Sequence, residues 1–369
     1  MVAAFVGGWG HAEPLLAVAR LATAMGHEVT FAGQEAIVPR LAALGYRTET
    51  VGPVTLATTR LPLLPVDRDG ERRVLADHFV ARFGRQRVES LPPVFERAGA
   101  TMVVCDEVDV GAVVAAERAG LPCVTVNVLA SGRMATPAVV GAAWAGLRAA
   151  AGLGPDPDLA RFGGDLAVVP VPRSFRDPSA TPAGPHRFVR PGVFDGAGAE
   201  PPSRRVYATL GTIFNLESGD LVERLIAAAG LIEAEALITI GPYLDPADLP
   251  AAAPRVRVEE FVPQDEVLPG AGAVVCHGGS GTLVAALALG VPVVVLPMGA
   301  DQPDNADRVA ELGVGIVLDP LTATPAAIAA ATTAVLDDDR YRAAASELAR
   351  EAAAQPPLSE VDELLALLR

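Results

Sequence analysis

The feature that most limits what this chain can fold into is a repeated grammar of apolar run, glycine turn, helix-period segment and second apolar run. It begins at residue 2 and again at residue 206. In the first copy the run at 2–7 meets Gly8 and Gly10, and a helix starts at Pro14 with apolar residues at Leu15, Val18, Ala22 and Met25. Gly26 closes that helix and a second run fills 27–32. Apolar residues spaced three to four apart mark a helix with one buried face, and a following glycine supplies the left-handed residue that ends it. Runs that are continuously apolar belong to strands covered on both faces. More of them lie at 101–105 and 122–126, with a helix ending at Gly120 between them, and at 206–210, 236–240, 256–258, 273–276 and 292–296. The series predicts an α/β protein with two Rossmann-like parallel-sheet domains.

A length of 369 residues exceeds what one hydrophobic core usually serves. The segment 177–204, with Pro178, Pro182, Pro185, Pro191, Pro201 and Pro202, has the composition of a linker. The expected domains are therefore 1–195 and 196–354. At 355–357 Gln-Pro-Pro ends a helix, and an amphipathic helix at 359–368 is expected to cross back to the first domain.

Composition excludes several classes. Hydrophobic residues at 51% and a mean hydropathy of +0.35 exclude a disordered chain. A net charge of −15 argues against nucleic acid, whose phosphates need a basic face. An anionic small ligand would have to be held by main-chain N–H groups and helix N-termini. Cys105, Cys123 and Cys276 are odd in number and sit in apolar runs, as in a reduced cytoplasmic protein. The first residues lack a basic leader region, and the apolar stretch 135–152 is interrupted by Pro137 and Arg148, so no membrane span is expected.

In open parallel sheets, ligands bind beyond the C-terminal strand ends. Polar residues stand at such ends here: His11, Asp106, Gly211-Thr212, His277 and Asp301-Gln302. The densest signal is Cys276-His277-Gly278-Gly279-Ser280-Gly281-Thr282, a strand running through glycines into a helix. Its N–H groups suit a diphosphate, with His277 and Thr282 as further donors to a departing nucleoside diphosphate. Read from residue types alone, the same segment also fits a plain strand–helix turn.

His277-x-Gly279-x-x-Thr282, followed by Pro297-x-x-x-Asp301-Gln302-x-x-Asn305-Ala306 and preceded by Phe261-Val262-Pro263-Gln264, resembles the donor signature of family 1 glycosyltransferases with the GT-B fold. Gly10-His11-x-x-Pro14 and the segment 26–30 resemble that family's opening in bacterial natural-product (antibiotic) glycosyltransferases. The resemblance covers nearly the whole chain. It implies two domains facing a cleft, with His11 as general base and Asp106 orienting it. It assigns Gly211, Thr212, His277, Gly279, Ser280, Gly281 and Thr282 to the donor phosphates, and Phe261, Val262 and Gln264 to the nucleobase side. Asp301 and Gln302 match the pair that binds donor sugar hydroxyls. Family members that hold a ribose 2′-hydroxyl often carry Glu where this chain has Ala285, which leans toward a dTDP-sugar over a UDP-sugar.

The implied reaction is inverting transfer of a (deoxy)sugar from a nucleotide diphosphate carrier, as co-substrate, to a small hydrophobic acceptor. No cofactor and no metal is expected. The five histidines are scattered, and Glu107/Asp109, Asp156/Asp158 and the run 337–339 read as solvated turns. Trp9, Phe79, Phe83, Met134 and Trp144 are candidate acceptor-lining residues, in segments where aromatic side chains are more often core. The expected state is a monomer or homodimer. A nucleotide-sugar epimerase of the same fold and a non-catalytic nucleotide-sugar-binding helper are the alternatives. A nicotinamide-binding Rossmann enzyme is disfavoured, because 8–13 lacks the third glycine of that fingerprint.

Overall fold

The structure, a computed structural model, describes residues 1–54, 60–192, 203–212 and 214–369. Thirteen described strands form two sheets. The first is built from β1 (Val2–Ala4), β2 (Thr30–Gly33), β3 (Arg47–Thr50), β4 (Val103–Asp106), β5 (Cys123–Val126), β6 (Leu166–Val169) and β7 (His186–Phe188), in the order β3-β2-β1-β4-β5-β6-β7. The second is built from β8 (Arg205–Thr209), β9 (Glu235–Thr239), β10 (Val256–Glu259), β11 (Ala273–Cys276), β12 (Val293–Val295) and β13 (Gly315–Val317), in the order β10-β9-β8-β11-β12-β13. Every pairing is parallel. The central strands β1, β4, β5 and β11 are buried along their whole length, which is why they read as unbroken apolar runs.

In each sheet the strand order reverses once, between β1 and β4 and between β8 and β11. A reversal sends the flanking connections to opposite faces and opens a crevice at the strand ends. Residues leaving β1 and β4, and residues leaving β8 and β11, are thereby made neighbours.

Residues of both halves share one apolar cluster, in which Val169, Phe175 and Phe188 join Tyr207, Leu268 and Leu283. At the far end of the chain, Val361, Leu364 and Leu368 lie in a cluster with Leu15, Leu16 and Val18. The Leu368 carbonyl meets His27 Nε2 at 2.6 Å. The helix Asp362–Leu367 is thus packed on the first sheet's helices. Met25, assigned from spacing to a buried helix face, is exposed.

The stretch expected to be a linker from residue 177 is ordered at its start. Asp177 Oδ1 accepts the Ser179 N–H at 2.8 Å and caps a short 3-10 turn, Pro178–Ala180, and β7 then closes the sheet edge. Residues 193–202 of that stretch, Pro201 and Pro202 included, lie outside the described residues. Among the described residues no helix is long and apolar enough to cross a membrane.

Candidate active site in the interdomain cleft

The chain leaves β1 through Gly7, at φ +118°, and makes a short helix, Trp9–Ala12, that carries His11 over the end of β4. His11 Nδ1 lies 3.2 Å from Asp106 Oδ1. Asp106 is fully buried and held rigidly, accepting from Val108 N at Oδ1 and Val6 N at Oδ2, both at 2.9 Å. The His11 side chain keeps 24% exposure. Burial alone would lower its pKa, but the Asp106 charge and hydrogen bond, aided by Asp301 and Asp109, hold it above the ordinary 6.5. The nearby acids are not the solvated loop groups expected from sequence. Glu107 is buried and accepts from Asn127 Nδ2 (2.7 Å), Arg176 (3.1 Å) and the N–H groups of Val128 and Leu129. Asp109 is buried against Arg87, with Nε–Oδ2 at 3.0 Å.

Across the cleft, His277 follows β11 and fits between two glycines. A Cβ at Gly211 (φ +77°) would come within 2.7 Å of its ring, and one at Gly279 would come closer still. The Phe214 ring stands 5.8 Å away, centroid to centroid. Burial drives the His277 pKa down to about 4, against a small opposing pull from the Thr209 main chain, so the ring is neutral near pH 7. Its Nδ1 is buried with no hydrogen-bond partner among the described residues. The helix Ser280–Ala288 begins beside it with no side chain capping it, which leaves its first-turn N–H groups available as donors. Thr212 and Gly281 belong to the same rim, half-buried and exposed respectively.

The other predicted donor residues fall into three groups. Gln264 Nε2 donates to Thr282 Oγ1 at 2.8 Å, so the segment after β10 is tied to the glycine loop. Phe261 is 55% exposed and Val262 half-buried at the cleft edge. Arg40 of the first domain stacks 3.5 Å from the Trp9 centroid and 5.2 Å from that of Phe261. Asp301 is buried, and burial raises its pKa while Ser280 and Asn305 oppose the rise.

Two of these side chains are less available than expected. Gln302 is almost fully buried, and its Oε1 accepts from Met298 N (2.8 Å) and Gly299 N (3.2 Å), leaving only its amide NH₂ for a ligand. The Ser280 hydroxyl is committed to Asp301 Oδ2 (2.5 Å) and the Ala130 N–H (2.7 Å). Ala285 is buried within the apolar cluster that also holds Leu283 and Leu287.

Of the acceptor candidates, Trp144 and Met134 do not line the cleft. Both belong to the first domain's core, where Trp144 donates to Asp156 Oδ2 at 3.0 Å and meets Phe162 edge to face. Phe79 packs on that core and touches Phe83 at 5.5 Å. Phe83 lines a cavity of about 430 Å³ with Gly52, Pro53, Val54, Arg82, Gln86 and Ser90. Trp9 stays at the cleft under Arg40.

Sequence reasoning did not find Glu71, carried by the helix Arg68–Arg73 of the first domain. A Cβ at Gly299 would stand 2.7 Å from its carboxylate, so it presses on the loop that bears Asp301. The same helix is anchored by Arg68 to Asp307 at 2.6 Å. Charge alternation along 67–73 was the one available sign.

Two parallel sheets whose C-terminal ends meet across one cleft define a GT-B protein. A family model described as the C-terminal domain of erythromycin biosynthesis protein CIII-like proteins matches residues 223–368. The elloramycin glycosyltransferase ElmGT of Streptomyces olivaceus is 40% identical over 165 residues, 44% of this chain and 41% of that one. The L-demethylnoviosyl transferase of Streptomyces niveus is 29% identical over 97% of this chain and 95% of its own. The glycosyltransferase SnogD from Streptomyces nogalater superposes with a TM-score of 0.73 at 26% identity, covering 100% of this chain and 99% of its own. The chain thus has the GT-B fold and is similar to these glycosyltransferases, over its C-terminal part in the family model and along nearly its whole length in the L-demethylnoviosyl transferase and SnogD. The chain spans less than half the length of several curated relatives that it matches, ElmGT among them.

Proposed function

We propose that this chain moves a deoxysugar, with inversion at the anomeric carbon, from a nucleoside diphosphate carrier to a hydroxyl of a small hydrophobic natural product. The observation that carries the reading is the opposition of two histidines in contrasting states. His11, paired with Asp106, has its basicity raised; His277, in a tight glycine cage, is kept neutral. Asp301, beside the second, is close enough to affect the charge of the first.

With Nδ1 directed at Asp106, the Nε2 of His11 is the nitrogen that takes the acceptor hydroxyl proton. The acceptor oxygen attacks the anomeric carbon as the bond to the diphosphate oxygen breaks. The departing diphosphate gains negative charge beside the uncapped N–H groups of Ser280–Ala288, and the unpaired His277 Nδ1 donates to it in the neutral tautomer that carries the ring proton there. Asp301 and the Gln302 amide serve the sugar hydroxyls. The scheme needs no metal and no resident cofactor, and the donor is a dTDP- or UDP-sugar, with dTDP favoured.

The test is a matrix of dTDP- and UDP-sugars against aglycones, read by mass shift and by release of nucleoside diphosphate. A sugar-sized mass gain matched by nucleotide release supports the reading. Epimerised nucleotide sugar formed without acceptor, or donor binding without turnover across the panel, would overturn it.

A further inference from the structure

Asn305 stands in the first turns of the helix Gln302–Glu311 and has no solvent exposure. Its amide is fully used. Nδ2 donates to Gly278 O at 2.9 Å and Asp301 Oδ2 at 2.8 Å, with Ser280 Oγ at 3.2 Å. Oδ1 accepts the Ser131 N–H of the first domain at 3.0 Å. Beside it, Ser280 Oγ gives its proton to Asp301 Oδ2 (2.5 Å) and accepts the neighbouring Ala130 N–H (2.7 Å).

We propose that Asn305 is a positioning residue for Asp301, and that through it the donor-sugar carboxylate is built into the joint between the two domains. An amide can be turned end for end at little cost in shape, so its sense is set by its partners. Here a donor from the first domain, Ser131 N–H, demands the oxygen, and two acceptors from the second demand the nitrogen. With that sense fixed, Asp301 Oδ2 receives two donors and the carboxylate cannot rotate freely. Separating the domains would exchange the bonds of Asn305 Oδ1 and Ser280 Oγ to the Ser131 and Ala130 N–H groups for bonds to water, so the tie holds only while the domains are docked. The orientation of Asp301 and the docking of the segment after β5 are therefore linked by one side chain.

The inference rests on the proposed role of Asp301 with the donor sugar, and the experiment separates the two. A double-mutant cycle joins Asn305→Ala and Asp301→Ala, with donor kcat/KM, affinity for sugar-free dTDP and thermal unfolding measured for each variant. The expected result is a loss of about tenfold or more in donor kcat/KM for Asn305→Ala alone, and less than about twofold in the Asp301→Ala background. Affinity for dTDP is expected to stay within about twofold, since dTDP lacks the sugar. Equal losses in both backgrounds, or equal weakening of dTDP, would overturn the positioning role while leaving the glycosyl-transfer reading intact. A wild type that transfers no sugar would remove both. If Asn305→Ala does not fold, Asn305→Ser, which keeps a small hydroxyl donor, is carried through the same cycle with the same criteria.

Discussion

The Asp106 carboxylate is fixed by two main-chain N–H groups, Val6 on Oδ2 and Val108 on Oδ1, each at 2.9 Å, and His11 Nδ1 meets Oδ1 at 3.2 Å. A carboxylate pinned in this way cannot follow the imidazole, so the imidazole must come to it. This sets which ring nitrogen faces the cleft. The adjacency follows from topology: β1 and β4 are neighbours, with Ala4 opposite Cys105, although their sequence positions are a hundred residues apart.

The raised pKa of His11 predicts the pH dependence of turnover. In the proposed role as general base His11 works only when neutral, so kcat/KM should climb with pH through a value above 6.5. Asp106→Asn removes the charge that holds the pKa up, and the acid limb should move downward while the maximum falls by about 10²–10⁴-fold. The ion pair's contribution to stability has the opposite sense, complete below the unfolded value of 6.5 and lost as pH rises through the raised one. Rate profiles of the two proteins check this, and an unmoved acid limb would remove Asp106 from the role.

His277 predicts a different slope. Its folded pKa of about 4 lies below the unfolded 6.5, so its contribution is intact above 6.5 and drains away as pH falls toward 4. By pH 5 the wild type should have lost about 2 kcal/mol at this position relative to pH 7.5. Urea unfolding at both pH values, for wild type and His277→Gln, isolates it. The variant should be less sensitive to acid by that amount, and identical sensitivity would refute the buried neutral ring.

What could be read from the sequence divides along burial. Strands such as β4 and β11 are legible because both faces are covered, leaving unbroken apolar residues. β3 is Arg47-Thr48-Glu49-Thr50, an edge strand paired only with β2, and carries no apolar run to notice. β7 was hidden among prolines. At the site, the positions of His11, His277 and Asp301 were legible because glycines and strand ends flag them. The commitments of Ser280 and Gln302 were not, since their partners are main-chain groups supplied by tertiary packing. Glu107 and Asp109 looked solvated because Arg176 and Arg87, which bury them, are 69 and 22 residues away in sequence.

The Arg87–Asp109 pair sits with both side chains at 0% exposure, and Arg87 also donates to Val51 O and Ala32 O, both at 3.1 Å. Removing one member leaves an uncompensated charge in the interior. Arg87→Met should cost about 3–5 kcal/mol of folding stability. Adding Asp109→Asn, which keeps an oxygen to accept the Ala112 N–H, should recover part of the loss. Denaturant titration of the single and double variants checks the coupling, and additive losses would contradict it.

Gly7 tests whether His11 depends on the turn beneath it. Its φ of +118° is outside the range other residues adopt easily, and a Cβ there would stand 2.5 Å from His11 Cδ2. Gly7→Ala therefore strains the backbone and pushes the imidazole away from Asp106. Strain of this kind costs on the order of 1–3 kcal/mol, so the melting temperature should fall by several degrees. Because the displaced ring is on the first domain, dTDP affinity should hold while kcat drops, by about 10²-fold for an ångström of misplacement. Calorimetric titration with dTDP beside steady-state rates separates the two effects. If donor affinity falls with kcat, the loop after β1 is coupled to the second domain more tightly than this geometry allows; if kcat is unchanged, His11 does not need its place over Asp106.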